Sequence, residues 1–224
     1  MTSKEIASRI DHSILNPAFT LEDLRNECAV AAKYHTASVC VRPCDVALAA
    51  GYLQGSGVKV GTVIGFPHGS HTTAIKVAEA RQAMADGAVE LDMVLNIGRL
   101  LSGDLDYVEQ DIRAVVEVAR QGDALVKVIL ENCYLSDEQK VQACRACERA
   151  GADFVKTSTG YGTGGATVED LRLMRRSVSE RVRVKAAGGV RTLEAFEAVC
   201  EAGADRVGAT ATSRIVDAAR AREV

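Results

Sequence analysis

A regular alternation runs through this chain. Short β-branched runs give way repeatedly to longer helical stretches, with Gly or Gly-Ala at the junctions. Strand candidates fall at residues 10–13, 38–42, 59–65, 89–95, 125–130, 153–156, 182–186 and 206–208, and helical patterns cover 21–34, 71–86, 106–121, 136–150, 167–178, 192–202 and 213–219. Strands separated by helices must be joined by crossovers, so they pair in parallel and are covered on both faces, which is why they read as nearly continuous apolar runs. Eight such units in 224 residues predict an α/β protein, a single-domain (β/α)8 TIM barrel over residues 1–224 with a short N-terminal helical segment. An open doubly wound sheet is the alternative.

Three helix-to-strand joints resemble one another: Asp86-Gly-Ala-Val-Glu, Gly151-Ala-Asp-Phe-Val and Gly203-Ala-Asp-Arg-Val. Each is a glycine helix stop, a small residue and a strand. Their uneven spacing marks recurring loop chemistry rather than a solenoid repeat.

One of these strands carries a lysine. Residues 153–160 read Asp-Phe-Val-Lys-Thr-Ser-Thr-Gly, and a lysine is rarely buried without a partner or a use. Lys156 has company: Asp11 in the first strand, Cys40 and Arg42 in the second, Asp92 and Asn96 with the fourth, Lys127 and Glu131 with the fifth, and Lys185 in the seventh. In a barrel the site lies at the C-terminal ends of the strands. Adjacent parallel strands are about 4.8 Å apart, so Lys156 and Lys185 at similar heights would depress each other's pKa, and burial acts in the same direction. Bringing a lysine from about 10.4 to near 7 asks roughly 4 to 5 kcal/mol of its surroundings. That is how an amine nucleophile beside a second cation is made. The competing explanation is a structural ion-pair network in which Asp92, Glu131 and Asp11 neutralise the lysines.

Glycine-rich turns follow the same strands: Ser158-Thr-Gly-Tyr-Gly-Thr-Gly-Gly, Ala186-Ala-Gly-Gly-Val-Arg and Gly208-Ala-Thr-Ala-Thr. Glycine lets backbone N–H groups approach an anion, and a following helix adds its dipole. Gly188, Gly189, Gly208 and Thr210 are therefore candidate phosphate donors, and Thr157, Thr159 and Gly160 candidate contacts to the rest of a sugar phosphate.

The motifs Asp-Phe-Val-Lys156-Thr-Ser-Thr-Gly, Val-Lys185-Ala-Ala-Gly-Gly-Val-Arg-Thr, Glu-Leu-Asp92-Met-Val, Asp11-His-Ser-Ile-Leu and Gly65-Phe-Pro-His-Gly, the last followed by Thr73, Lys76 and Glu79, resemble the deoxyribose-phosphate aldolase family from end to end. The resemblance implies a (β/α)8 class I aldolase that interconverts 2-deoxy-D-ribose 5-phosphate with D-glyceraldehyde 3-phosphate and acetaldehyde in deoxyribonucleoside catabolism. It implies Lys156 as the Schiff-base lysine, Lys185 as the neighbour that lowers its pKa and relays protons, Asp92 as the proton-transfer partner and Asp11 as support for the network. Lys127 and Cys40 are further candidates. The chain departs from the family pattern at Thr210 and Ala211, where many members have two serines, at Tyr161, and in ending without a terminal tyrosine. Two other readings remain: a class I aldolase or transaldolase for a different phosphorylated sugar, and a non-catalytic phosphate-binding barrel.

Composition limits the partners. A hydrophobic content of 47%, a charged content of 25% and a net charge of −3 fit an ordinary globular protein and argue against nucleic acid or an anionic membrane surface. No apolar run approaches the roughly 18 residues of a membrane span, and the N-terminus has no apolar signal region. A cytoplasmic protein is expected, acting on a small phosphorylated sugar and forming a homodimer. Seven cysteines then read as small core residues. Cys144 and Cys147 form a C-x-x-C without a second pair, and His68 and His71 have no third ligand near them, with His12 and His35 far away in sequence. Neither a metal nor a cofactor is expected.

Overall fold

The structure is a computed structural model that describes residues 1–223. Its elements run α1 (Ser3–Ala7), β1 (Ile10–Ile14), α2 (Leu21–Tyr34), β2 (Ser38–Val41), α3 (Val46–Tyr52), β3 (Lys59–Ile64), α4 (Thr73–Ala85), β4 (Glu90–Val94) and α5 (Ile97–Leu101). The second half continues with α6 (Leu105–Gln121), β5 (Leu125–Ile129), α7 (Asp137–Ala150), β6 (Phe154–Lys156), α8 (Val168–Ser177), β7 (Arg183–Ala187), α9 (Leu193–Glu201), β8 (Arg206–Ala209) and α10 (Thr212–Arg220). The eight strands pair in parallel in chain order, and β8 returns to β1 to close the barrel. This is the (β/α)8 barrel that the alternation predicts, and closure excludes the open sheet. The short α3 and α5 lie in stretches where periodicity alone did not single out a helix.

Local chemistry fixes the element ends. Thr20 caps α2 reciprocally with Asp23, and Ser136 caps α7 with Gln139. Gly151 ends α7 in the left-handed region at φ 87°, where a Cβ would be costly. The aspartate that recurs after these glycines also has a use. Asp153 accepts the N–H of Val126 at 2.8 Å and Asp205 that of Val184 at 2.9 Å, so each joint fastens its strand to the preceding one at the barrel floor.

Branched apolar side chains fill the layer between barrel and helices. The barrel interior is different, because much of it is charged: Asp11, Glu90, Asp92, Lys127, Lys156 and Lys185 are all buried there. A second buried charge lies outside the barrel wall. Lys76 on α4 is fully buried and donates to Asp111 Oδ2 on α6 at 2.6 Å and to the Val94 carbonyl at the end of β4 at 3.0 Å. Thr73 donates to the other oxygen of Asp111 at 2.7 Å. Burial lowers the Lys76 pKa against the pull of Asp111. Gly65, at φ 62°, leaves room for the lysine, since a Cβ there would stand 2.8 Å from Lys76 Cε. Removing one partner strands a buried charge, so Lys76→Met should cost about 3 to 5 kcal/mol, and a Lys76→Met/Asp111→Leu double variant should recover most of it. Denaturant unfolding of the single and double variants checks this, and additive losses would contradict it.

Candidate active site

Alternation along the strands decides what faces inward. Register sets Lys156 beside Lys185, Asp92 beside Lys127, and Lys185 beside Arg206. The side chains then converge on one carboxylate. Asp92 Oδ2 accepts from Lys156 at 2.7 Å and from Lys185 at 2.6 Å, while its Oδ1 accepts from Lys127 at 2.8 Å. Asp11 Oδ2 meets Lys185 at 2.5 Å and Lys127 at 3.6 Å. Below them, Arg206 Nε donates to Asp11 Oδ1 at 2.6 Å, its terminal nitrogen bridges Glu90 at 2.9 Å, and Glu90 also takes Lys127 at 2.6 Å.

Charge counting across this network is decisive. The connected side chains are four cations, Lys127, Lys156, Lys185 and Arg206, and three carboxylates, Asp11, Glu90 and Asp92. With every group ionised the buried cluster is one positive charge in excess, which is expensive away from water. One lysine losing its proton balances it. Lys127 touches three carboxylates, Lys185 two and Lys156 only one. Lys156 is therefore the amine that goes neutral most easily.

The pKa directions follow that order. For Lys156 burial outweighs the attraction of Asp92, Lys185 adds its repulsion, and the pKa falls below the ordinary lysine value. For Lys185 burial acts downward too, but Asp11 and Asp92 together overcome it and the pKa rises. Lys127 is pushed up in the same way by its three carboxylates. Burial would raise Asp92, but Lys127, Lys156 and Lys185 hold it well below the carboxylate range. The mutual depression of two lysines expected from the sequence is thus corrected to a one-sided one, because the carboxylates are shared unequally.

A cavity of about 550 Å³ opens onto the cluster at the C-terminal face of the barrel. Lys156, Lys185, Asp11 and Cys40 form its floor, and Gly160, Gly188, Gly189, Gly208 and Thr210 line its walls. Burial pushes the Cys40 thiol up to about 11, so it adds no charge at neutral pH. Gly208 leaves space for the site: a Cβ on it would lie 3.5 Å from Lys185 Cε and 3.3 Å from Ala187 Cβ. Gly165 and Gly188 let the loops after β6 and β7 touch, since a Cβ on Gly165 would stand 2.4 Å from the Gly188 carbonyl oxygen, which accepts the Ala166 N–H at 3.0 Å.

Several side chains lie elsewhere than expected. Thr157 is buried away from the cavity, its hydroxyl donating to the Ala187 carbonyl and accepting the Ala187 N–H, each at 3.0 Å. Glu131 takes no part in the lysine network. Its carboxylate accepts the Thr159 N–H at 3.2 Å and the Thr159 hydroxyl, bracing the glycine-rich loop after β6. Arg42 faces the loop after β1, donating to the Phe19 carbonyl at 3.0 Å and to Asp45 at 2.5 Å. Tyr161 reaches the same loop, its hydroxyl donating to the Leu15 carbonyl at 2.7 Å. Sequence reasoning overlooked Glu90 and Arg206. Each stands two residues before a residue already singled out, Asp92 and Gly208, so period-2 alternation carried the signal.

The charge count makes a measurable ordering. In an NMR titration of the lysine side chains, Lys156 should lose its proton below the ordinary value of about 10.4, and Lys127 and Lys185 above it. Glu90→Gln removes a negative charge and should move Lys156 lower still, whereas Arg206→Gln removes a cation and should move it up. Identical midpoints for the three lysines would refute the account.

Comparisons with known proteins agree along the whole chain. Residues 6–214 match the model of the DeoC/LacD family aldolases. A deoxyribose-phosphate aldolase of Thermococcus gammatolerans is 54% identical over 225 aligned residues, covering all of both chains. One of Clostridium perfringens is 52% identical over 217 residues, covering 97% of this chain and 96% of that one. The tetrameric deoxyribose phosphate aldolase of Aeropyrum pernix superposes with a TM-score of 0.92 at 32% identity, over 99% of this chain and 93% of the other.

Proposed function

The chain belongs to the DeoC/LacD family of aldolases, and from that premise we propose that it cleaves 2-deoxy-D-ribose 5-phosphate to D-glyceraldehyde 3-phosphate and acetaldehyde through a Schiff base on Lys156. The observation that carries this reading is the unequal sharing of carboxylates, which lowers the Lys156 pKa and raises that of its neighbour Lys185. The reaction is reversible and serves deoxyribonucleoside catabolism in the cytoplasm, without a metal or cofactor.

The cycle keeps the cluster's charge constant. The neutral Lys156 amine adds to the sugar aldehyde, Lys185 protonates the departing hydroxyl as water, and the iminium now carries the positive charge that Lys185 gave up. Neutral Lys185 next accepts the proton of the C3 hydroxyl, carried by the far carbon of the C2–C3 bond to be broken. As that carbonyl forms, the carbon–carbon bond cleaves and its electron pair enters the iminium, giving a neutral enamine and releasing glyceraldehyde phosphate. Lys185 then protonates the enamine carbon, and water added to the new iminium frees acetaldehyde and regenerates Lys156. At each stage the pair shares one positive charge, which the three carboxylates and two remaining cations balance. Asp92, held far below the carboxylate range, is a weak base. It serves by orienting both nitrogens on one oxygen and by passing protons through a water. Positioned acid–base groups of this kind typically contribute about 10² to 10⁴ in rate.

The phosphate is assigned to the glycine-lined end of the cavity, where Gly188, Gly189, Gly208 and Thr210 stand. Gly188 and Gly189, at φ 85° and 90°, free their backbone N–H groups from side-chain cover, and Gly208 to Thr210 lead into the N-terminus of α10. Thr159 and Gly160 line the sugar side. The reading includes a homo-oligomer. Light scattering on the purified protein distinguishes the expected dimer from the tetramer seen in the Aeropyrum pernix relative.

Two measurements test the chemistry. Acetaldehyde with borohydride should leave an ethyl group on Lys156, and Lys156→Ala should lose both the adduct and turnover; trapping at another lysine would sink the assignment. In Lys185→Leu the repulsion on Lys156 is gone and Asp92 serves it more fully, so its pKa rises. Turnover should fall by about 10² to 10⁴ with the loss of the proton carrier, and the acidic limb of the residual pH–rate profile should move to higher pH, each unit leaving about a tenth of the neutral amine at a given pH below it. An unmoved limb would remove Lys185 from the role.

A further inference from the structure

His12 stands outside the lysine cluster, yet it is fully buried. Alternation along β1 turns Asp11 into the barrel and His12 outward, at the seam where His12 pairs in register with Ala209 of β8. Both ring nitrogens are engaged. Nδ1 lies 2.8 Å from the hydroxyl of Thr212 on α10, and Nε2 lies 2.7 Å from Glu27 Oε2 on α2. Of the two neutral tautomers, the one with Nε2–H donates to the Glu27 carboxylate and leaves the Nδ1 lone pair to accept from the Thr212 hydroxyl.

Thr212 is the first residue of α10, and Ala211 before it supplies no side-chain cap. The first N–H groups of this helix thus have no capping oxygen. The three residues before the cap, Gly208, Ala209 and Thr210, line the cavity. Ala211 also brings no hydroxyl, so apart from Thr210 an anion there depends on backbone N–H groups and the helix dipole, whose value rests on placement. We propose that His12, oriented by Glu27, is a positioning residue that fixes the N-terminus of α10 at the phosphate end of the cavity through Thr212. The inference deepens the phosphate reading given above and rests on it.

The test compares 2-deoxyribose 5-phosphate with unphosphorylated 2-deoxyribose, with inorganic phosphate as a competitive inhibitor. Thr212→Val removes the hydroxyl at nearly constant shape, and His12→Gln places an amide near Nε2 while abandoning Nδ1. Each should raise the phosphate inhibition constant and the KM for the phosphorylated sugar about tenfold, the worth of one hydrogen bond. Turnover of 2-deoxyribose should stay at the wild-type level. Thr212→Ser and His12→Asn, which keep the contact, should retain tight phosphate inhibition. Should the buried variants fail to fold, Glu27→Ala, made from the partly exposed end, should weaken phosphate inhibition in the same direction. Equal losses on both sugars, or unchanged phosphate inhibition in Thr212→Val or, failing that, in Glu27→Ala, would overturn the inference. Inhibition that is absent from the unsubstituted protein would instead overturn the phosphate reading beneath it.

Discussion

One carboxylate organises this protein. Asp92 holds three lysines from three strands on its two oxygens, and the barrel could not bury those lysines without it. A single buried ammonium costs several kcal/mol even after relaxation, so the lysines, Asp11, Glu90 and Arg206 are tolerated only as a set. The set is unbalanced by one charge, and that excess makes Lys156 the lysine that gives up its proton most easily. In the proposed reaction, activation is a property of the count and sharing of charges, more than of one neighbouring lysine.

The same design explains why the barrel interior is polar where related architectures pack branched apolar side chains. The apolar core lies instead between strands and helices. The barrel can then devote its interior to electrostatics, with Arg206 and Glu90 closing the cluster from the floor and the cavity opening it at the top. Around the mouth, loops are fastened by specific side chains: Glu131 on the loop after β6, Arg42 and Tyr161 on the loop after β1, and the Lys76–Asp111 pair behind the loops after β3 and β4. Where the loops after β6 and β7 meet, the contact is made by Gly165 and Gly188 rather than by side chains.

Much of this was legible from residue order. Eight strands and their parallel pairing followed from alternation, and Lys156, Lys185, Asp92 and Asp11 stood out because charges interrupt apolar strands. Glu90 and Arg206 did not stand out, since they open their strands and look like solvent-facing entry residues. Thr157 and Glu131 were legible as polar groups near the mouth, but not in their partners: one hydroxyl is consumed by strand β7 and one carboxylate by the loop it braces. His12 read as an isolated histidine because its partners Glu27 and Thr212 come from helices 15 and 200 residues away.

Residue order sets the barrel, because strand–helix alternation leaves few parallel topologies, and it sets which residue types meet at the strand ends, because period 2 assigns each side chain a face. How the charges are shared depends on the closed barrel in three dimensions. Proton affinity in a buried cluster depends on distances of a few ångströms among seven side chains from six strands, and no local pattern encodes that one lysine touches a single carboxylate while its neighbours touch two or three.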